Sequence, residues 1–157
     1  MDLSEPISVL YVDDEIHNLN SFRASFRRTF KVFTAESAAE GRKILEANPI
    51  QVIITDQRMP QMTGIEFLAW IIPDFPDPIR ILLTGYADIN AVIDAINLGQ
   101  VYKYLQKPWT EDDLRITIEK AYELFMLRKE NRELTQKLIE ANKQLEAGLQ
   151  KDFDTGS

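Results

Sequence analysis

Strict alternation between short strand-like runs and single helical segments constrains this chain more than any other feature. Runs rich in β-branched and apolar residues occupy 8–12, 31–35, 52–55, 79–83 and 102–105. Each has the length of a strand and falls short of a buried helix. Between them apolar residues recur at helical spacing: Leu19, Phe22 and Phe26; Ala38, Ala39, Ile44 and Leu45; Ile65, Leu68, Ala69 and Ile72; Ile89, Val92, Ile93 and Ile96. One helix between successive strands calls for a parallel sheet, because each crossover lays its helix on a face. The chain therefore reads as an α/β domain with both sheet faces covered, the nearly continuous apolar third and fourth runs being central strands. Ser37 and Asp88 suit helix starts, Gly99 suits a helix end, and Pro73, Pro76 and Pro78 confine 72–78 to a turn.

From Thr110 the pattern changes: no Gly or Pro appears until Gly148, and helix formers dominate. Thr110 offers a capping hydroxyl, and Glu111, Asp112 and Asp113 place acids in the first turn, where they meet the positive end of the helix dipole. A helix over 111–149 would be on the order of 60 Å long, more than one domain of this size uses. The expected organisation is a domain over 1–125, a helical extension over 126–150, and a frayed tail over 151–157.

Composition narrows the function. Apolar residues at 45% with 10% aromatics predict a packed core and exclude disorder. With 18 Lys and Arg against 25 Asp and Glu, the net charge of −7 repels nucleic-acid phosphates and offers carboxylates to divalent cations. The absence of cysteine removes disulfides, thiolate metal sites and cysteine nucleophiles, and the single His17, expected on the surface of the first helix, cannot build a multi-histidine site. Runs such as 52–55 and 79–83 are too short to span a bilayer, and Met1-Asp2-Leu3-Ser4-Glu5 lacks the basic start of a signal peptide. A cytoplasmic location without membrane contact is the expectation.

The strand ends carry the chemistry. In an open parallel sheet the ligand crevice lies at the carboxyl ends of the strands. Here those ends hold Asp13-Asp14-Glu15 after the first, Asp56 after the third, Thr84 after the fourth and Lys107-Pro108 after the fifth. Crowded carboxylates oppose each other's ionisation unless a cation neutralises them, and an all-oxygen donor set favours Mg²⁺. A remaining carboxylate can attack phosphorus to give an acyl phosphate if the charge of the transferring group is neutralised; Lys107 would supply a second positive charge beside the metal.

Four stretches together carry a resemblance: Leu10-Tyr11-Val12-Asp13-Asp14-Glu15; Asp56-Gln57-Arg58-Met59-Pro60 with Gly64; Leu83-Thr84-Gly85-Tyr86; and Tyr104-Leu105-Gln106-Lys107-Pro108-Trp109. They resemble receiver domains of two-component signalling, the CheY-like superfamily, over roughly 7–125. The resemblance implies a five-stranded sheet of order 2-1-3-4-5 sandwiched by five helices. It further implies that Asp56 accepts a phosphoryl group from a sensor histidine kinase or phosphotransfer protein, that Asp14 and Asp56 ligate Mg²⁺ directly, that Asp13 acts mainly through a bound water, and that the Arg58 backbone carbonyl is a further ligand. Lys107 would bridge to the phosphoryl oxygen, Thr84 would be drawn toward it, and Tyr104 would be the switch aromatic; a cis Lys107-Pro108 bond is also implied. Such a chain is a regulatory phosphoacceptor whose only catalysis is its own phosphotransfer and dephosphorylation. Arg58 and Tyr86, two residues beyond Asp56 and Thr84, are large enough to shield an acyl phosphate from water.

Plainer readings exist for each part. An acidic pair can be a solvated loop, Thr84 can satisfy a local turn, Lys107 can mark a strand exit, and Tyr104 can be an ordinary packed aromatic. Met59, Met62 and Trp70 read as packing residues. An aspartate-nucleophile phosphatase would need a second acid two residues after its nucleophile, where Asp56 is followed by Gln57 and Arg58 and Asp13 by Asp14 and Glu15. An inactive receiver-like dimerisation module would have no use for Asp13, Asp14, Asp56, Thr84 and Lys107 together.

Along the last helix, Leu124, Asn131, Leu138 and Leu145 fall at heptad position a, and Leu127, Leu134, Ala141 and Gly148 at d. An asparagine at a favours a two-stranded parallel register, and Glu123 can pair with Arg128 of a second chain. The seam predicts a coiled-coil homodimer relaying the signal to an effector domain outside this sequence; a single surface helix packed on the domain is the alternative.

Overall fold

A computed structural model describes residues 5–85 and 89–155, with side chains described through Gln150. Tyr86 and Asp88 lie outside the described residues, so their expected shielding and capping roles do too. The elements are β1 (Ser8–Val12), α1 (Ile16–Phe26), β2 (Lys31–Ala35), α2 (Ala38–Ala47), β3 (Val52–Asp56), α3 (Gly64–Ile71), β4 (Ile79–Thr84), α4 (Ile89–Asn97), β5 (Lys103–Gln106) and α5 (Glu111–Thr155). The sheet is five-stranded and parallel in the order β2-β1-β3-β4-β5, as expected.

Strand alternation sorts the core onto two faces. Val9 and Tyr11 of β1, with Val52, Ile54, Ile81 and Leu83, pack against Leu19, Phe22 and Phe26 of α1 and Leu114, Ile118 and Ala121 of α5. Leu10, Val12, Ile53 and Leu82 pack instead with Leu45 of α2, Phe67, Leu68 and Ile71 of α3, and Val92 and Ala95 of α4. Each fully buried Leu, Ile or Phe contributes about 1.5–3 kcal/mol, so both faces are firmly covered.

Local signals explain most boundaries. Ser37 Oγ accepts from the N–H of Glu40, and Thr110 Oγ1 from that of Asp113. Thr63 and Glu66 form a reciprocal capping box at the start of α3. Gly99, at φ +76°, follows the end of α4. At Gly41 the backbone of α2 approaches the sheet so closely that an added Cβ would lie 3.0 Å from Val12 and 3.1 Å from Phe67.

Three details go beyond the sequence pattern. On α3 the buried face is Phe67, Leu68 and Ile71 while Ala69 is exposed, because burying an aromatic ring outweighs burying a methyl group. On α4 Ala95 is buried and Ile93 is exposed. Helix α5 continues through Gly148 to Thr155; an exposed glycine costs an otherwise good helix only about 1 kcal/mol.

The chain divides into two compact units at Phe125 and Met126. In the first, Leu124 and Phe125 are partly buried against the α1/α5 core, so Leu124, read as the first seam position, also packs inside the domain. In the second, Leu127, Leu134, Leu138 and Leu145 are all more than half exposed, and Asn131 and Ala141 are exposed with them. No helix among the described residues is long and apolar enough to cross a membrane.

Candidate functional site: an acidic cluster at the strand ends

The sheet register brings the site together. Val12 pairs with Thr55, Asp56 with Leu83, and Thr84 with Gln106. The residues that follow or end these strands, Asp13, Asp56, Thr84 and Lys107, are therefore aligned along one edge of the sheet. Carboxylate oxygens of Asp13, Asp14 and Asp56 lie within 4.8 Å of one another. Asp13 and Asp56 are buried, and Asp14 is exposed.

Lys107 Nζ forms an ion pair with Asp56 Oδ1. Burial pushes the Asp56 carboxyl above its ordinary pKa, Lys107 pulls it down, and Asp13 and Asp14 add to the rise. Asp56 belongs to a strand buried along its whole length, so its ionised form depends on positive charge in the site. The donor set fits a hard divalent cation: three carboxylates with one lysine leave an excess of negative charge, and all three offer oxygen.

The backbone around Asp56 is fixed from several sides. Gln57 donates its N–H to the carbonyl of Leu83 at 3.0 Å and accepts from the N–H of Gly64 at 3.0 Å. Its side-chain oxygen accepts from the N–H of Ile65 at 2.9 Å, tying the β3 end to the start of α3. Gly64 is obligatory here, since an added Cβ would collide with the Asp56 carbonyl oxygen and lie 2.9 Å from Leu82. Lys107 donates its N–H to the carbonyl of Thr84 at 3.0 Å, and the Lys107-Pro108 bond is cis.

Thr84 is buried, and its hydroxyl donates to the carbonyl of Gly85 at 3.1 Å, the local turn contact open to such a residue. Tyr104 is half-buried against the core beneath α2, α3 and α4. The Arg58 side chain is exposed two residues beyond Asp56. His17 is exposed on α1, as expected.

Sequence reasoning missed the partners of Asp13. Tyr11 donates its hydroxyl to Asp13 Oδ2 at 2.6 Å, Asn18 donates its amide to the same oxygen at 3.0 Å, and the Glu15 N–H donates to Oδ1 at 3.0 Å. Strand periodicity places Tyr11 and Asp13 on the same side, which was the available signal. Burial and then the hydrogen bond to Asp13 push the Tyr11 phenol far above its ordinary pKa, so it is a permanent donor.

Comparison with known proteins agrees with this geometry. The family model described as the response regulator receiver domain matches residues 9–119. A hydrogenase transcriptional regulatory protein, HoxA, of Cupriavidus necator is 40% identical over 116 residues, covering 74% of this chain and 24% of the relative. HoxA of Bradyrhizobium diazoefficiens is 35% identical over 123 residues, covering 78% of this chain and 25% of the relative. This chain thus spans about a quarter of the length of these curated relatives. Among solved structures, a response regulator receiver domain protein from Clostridium thermocellum superposes with a TM-score of 0.72 at 35% identity, covering 77% of this chain and 98% of that one. A structure described as an adenylate cyclase from Rhodopirellula baltica gives a TM-score of 0.80 at 31% identity, covering 83% and 98%. With its strand order, acidic cluster and lysine, this chain belongs to the response regulator receiver domain family.

Proposed function

We propose that this chain is the phosphoacceptor receiver of a two-component phosphorelay, with Asp56 as the phosphorylated residue. The observation that carries the proposal is the Lys107 ammonium on the Asp56 carboxylate inside the Asp13, Asp14 and Asp56 cluster. In this reading Asp13, Asp14 and Asp56, with the backbone carbonyl of Arg58, hold Mg²⁺, and Asp13 acts mainly through a water. Bound Mg²⁺ would supply positive charge for the phosphoryl oxygens.

An Asp56 carboxylate oxygen attacks phosphorus of a histidine kinase or phosphotransfer protein's phosphohistidine. The new bond is O–P, the bond broken is P–N, and the departing imidazole keeps its electron pair and takes up a proton. Lys107 stabilises charge on the transferring group and afterwards contacts a phosphoryl oxygen. The Thr84 hydroxyl exchanges the Gly85 carbonyl for that oxygen, and Tyr104 responds, biasing two arrangements of the β4 and β5 ends. The chain acts as a regulatory switch in the cytoplasm, its catalysis limited to its own phosphorylation and dephosphorylation.

The signal passes through α5. Its first turns contribute Leu114, Ile118 and Ala121 to the core, and Leu124, Leu127, Asn131, Leu134, Leu138, Ala141 and Leu145 form the seam of a parallel homodimer. The effector belongs to a further domain or a separate protein. The relatives named above include transcriptional regulators and an adenylate cyclase, so receivers of this kind serve outputs of different chemistry. Contact with nucleic acid is assigned to no part of this acidic chain.

The test is binding of beryllofluoride, a phosphoryl mimic, followed by tryptophan fluorescence. Trp109, two residues after Lys107, is the expected reporter. Saturable, Mg²⁺-dependent binding that is lost in Asp56→Asn supports the proposal; no binding by the wild type refutes it.

A further inference from the structure

Asp13 is held more firmly than membership of an acidic cluster requires. It has no exposed surface, and donors from two elements converge on its carboxylate: Tyr11 of β1 at 2.6 Å and Asn18 of α1 at 3.0 Å, both on Oδ2. The Glu15 N–H occupies Oδ1 at 3.0 Å. The Tyr11 ring is 1% exposed, and its centroid lies 4.8 Å from that of Phe22, which in turn lies 4.9 Å from Phe26. This packing fixes where the phenol points.

The hydroxyl is not needed for that packing, because a phenylalanine ring would fill the same space. What it adds is the bond to Asp13. Tyr11 and Asn18 also line, with Lys107, Pro108 and Trp109, a cleft of about 420 Å³ that reaches the lysine paired with Asp56. The two donors thus border the same cleft as Lys107 while bonding to Asp13.

We propose that Tyr11 and Asn18 are positioning residues for the metal site: by engaging Asp13 Oδ2 from two elements, they orient this carboxylate toward a divalent cation before the cation arrives. The inference rests on the reading of the acidic cluster as a Mg²⁺ site. A carboxylate already fixed loses little freedom on binding metal, which raises affinity without adding a ligand. Removing an outer partner of a direct metal ligand typically weakens binding about 10–100-fold; Asp13 acts mainly through a water, so a smaller loss is expected here.

The experiment is a Mg²⁺ titration of the full chain by calorimetry, comparing wild type, Tyr11→Phe, Asn18→Ala and the double variant. Tyr11→Phe keeps the ring but, like Asn18→Ala, removes a donor from a fully buried carboxylate, so metal-free melting is expected to fall, and the titrations are run at a temperature where every variant is fully folded. The expected result is a Mg²⁺ dissociation constant raised several-fold in each single variant and further in the pair, with beryllofluoride binding restored at saturating Mg²⁺. If wild type binds Mg²⁺ and both single variants bind it with unchanged affinity, the inference is overturned while the phosphoacceptor reading stands. Weakened binding that vanishes once only fully folded protein is compared assigns the residues to packing and likewise overturns it. A wild type that binds no Mg²⁺ removes both readings.

Discussion

Lys107 Nζ rests on Oδ1 of Asp56, linking the end of β5 to the end of β3 across the intervening β4. This contact places a cationic side chain on the proposed phosphoacceptor. Replacing Lys107 with methionine keeps the length of the stem and removes the charge. Phosphorylation from a small phosphodonor is then expected to slow about 100-fold, the usual scale for losing one transition-state donor. Stopped-flow fluorescence at saturating Mg²⁺ checks this, and Mg²⁺ binding itself should survive.

Gly64 stands directly against the Asp56 backbone, where an added Cβ would overlap the carbonyl oxygen and press on Leu82. The neighbour that must give way is main chain, so relief requires moving either α3 or Asp56. Gly64→Ala is expected to cost about 3 kcal/mol of stability by overpacking, read as a lower urea midpoint, and to reduce the yield of phosphorylated protein even where the chain is folded.

The burial of Asp56 makes stability depend on pH and metal. Its carboxyl is raised above the ordinary value in the fold, so the folded state prefers the protonated form. The associated stability is fully present below the unfolded pKa and is lost as pH rises through the folded one. At neutral pH without metal, Asp56→Asn should therefore melt higher than wild type. Mg²⁺ should raise the melting temperature of wild type more than that of Asp56→Asn, as thermal melts at several pH values would record.

Asn131 sits among exposed leucines on α5, with Leu127 and Leu134 on either side in the proposed seam. Leu134→Asp with Leu138→Asp should abolish a coiled-coil dimer and leave a monomer with an intact receiver. Asn131→Leu should raise dimer stability and weaken the preference for two parallel strands, because a buried asparagine specifies register at a cost in stability. Sedimentation equilibrium distinguishes these outcomes.

Much of the fold was legible because its causes are local and periodic. Strand runs bounded by Asp, Gly and Pro, and helices with a single apolar stripe, leave few arrangements for five parallel strands. The convergence of Asp13, Asp56, Thr84 and Lys107 follows from the same logic, since parallel strands in register end together. What escaped was set by packing between elements. The face of α3 turned on Phe67, whose ring outcompetes Ala69, and α4 buries Ala95 while Ile93 faces solvent. The contacts of Tyr11 and Asn18 with Asp13 required knowing how α1 lies on β1. Leu124 served two patterns at once, a heptad position and a core contact, and only the packed structure reveals the second.

The phosphoacceptor assignment is tested most directly by mass spectrometry of the intact chain after incubation with Mg²⁺ and acetyl phosphate. The account predicts addition of a single phosphoryl group, lost on treatment with hydroxylamine, dependent on Mg²⁺ and absent from Asp56→Asn. No adduct on the wild type, or an undiminished adduct on Asp56→Asn, would contradict it.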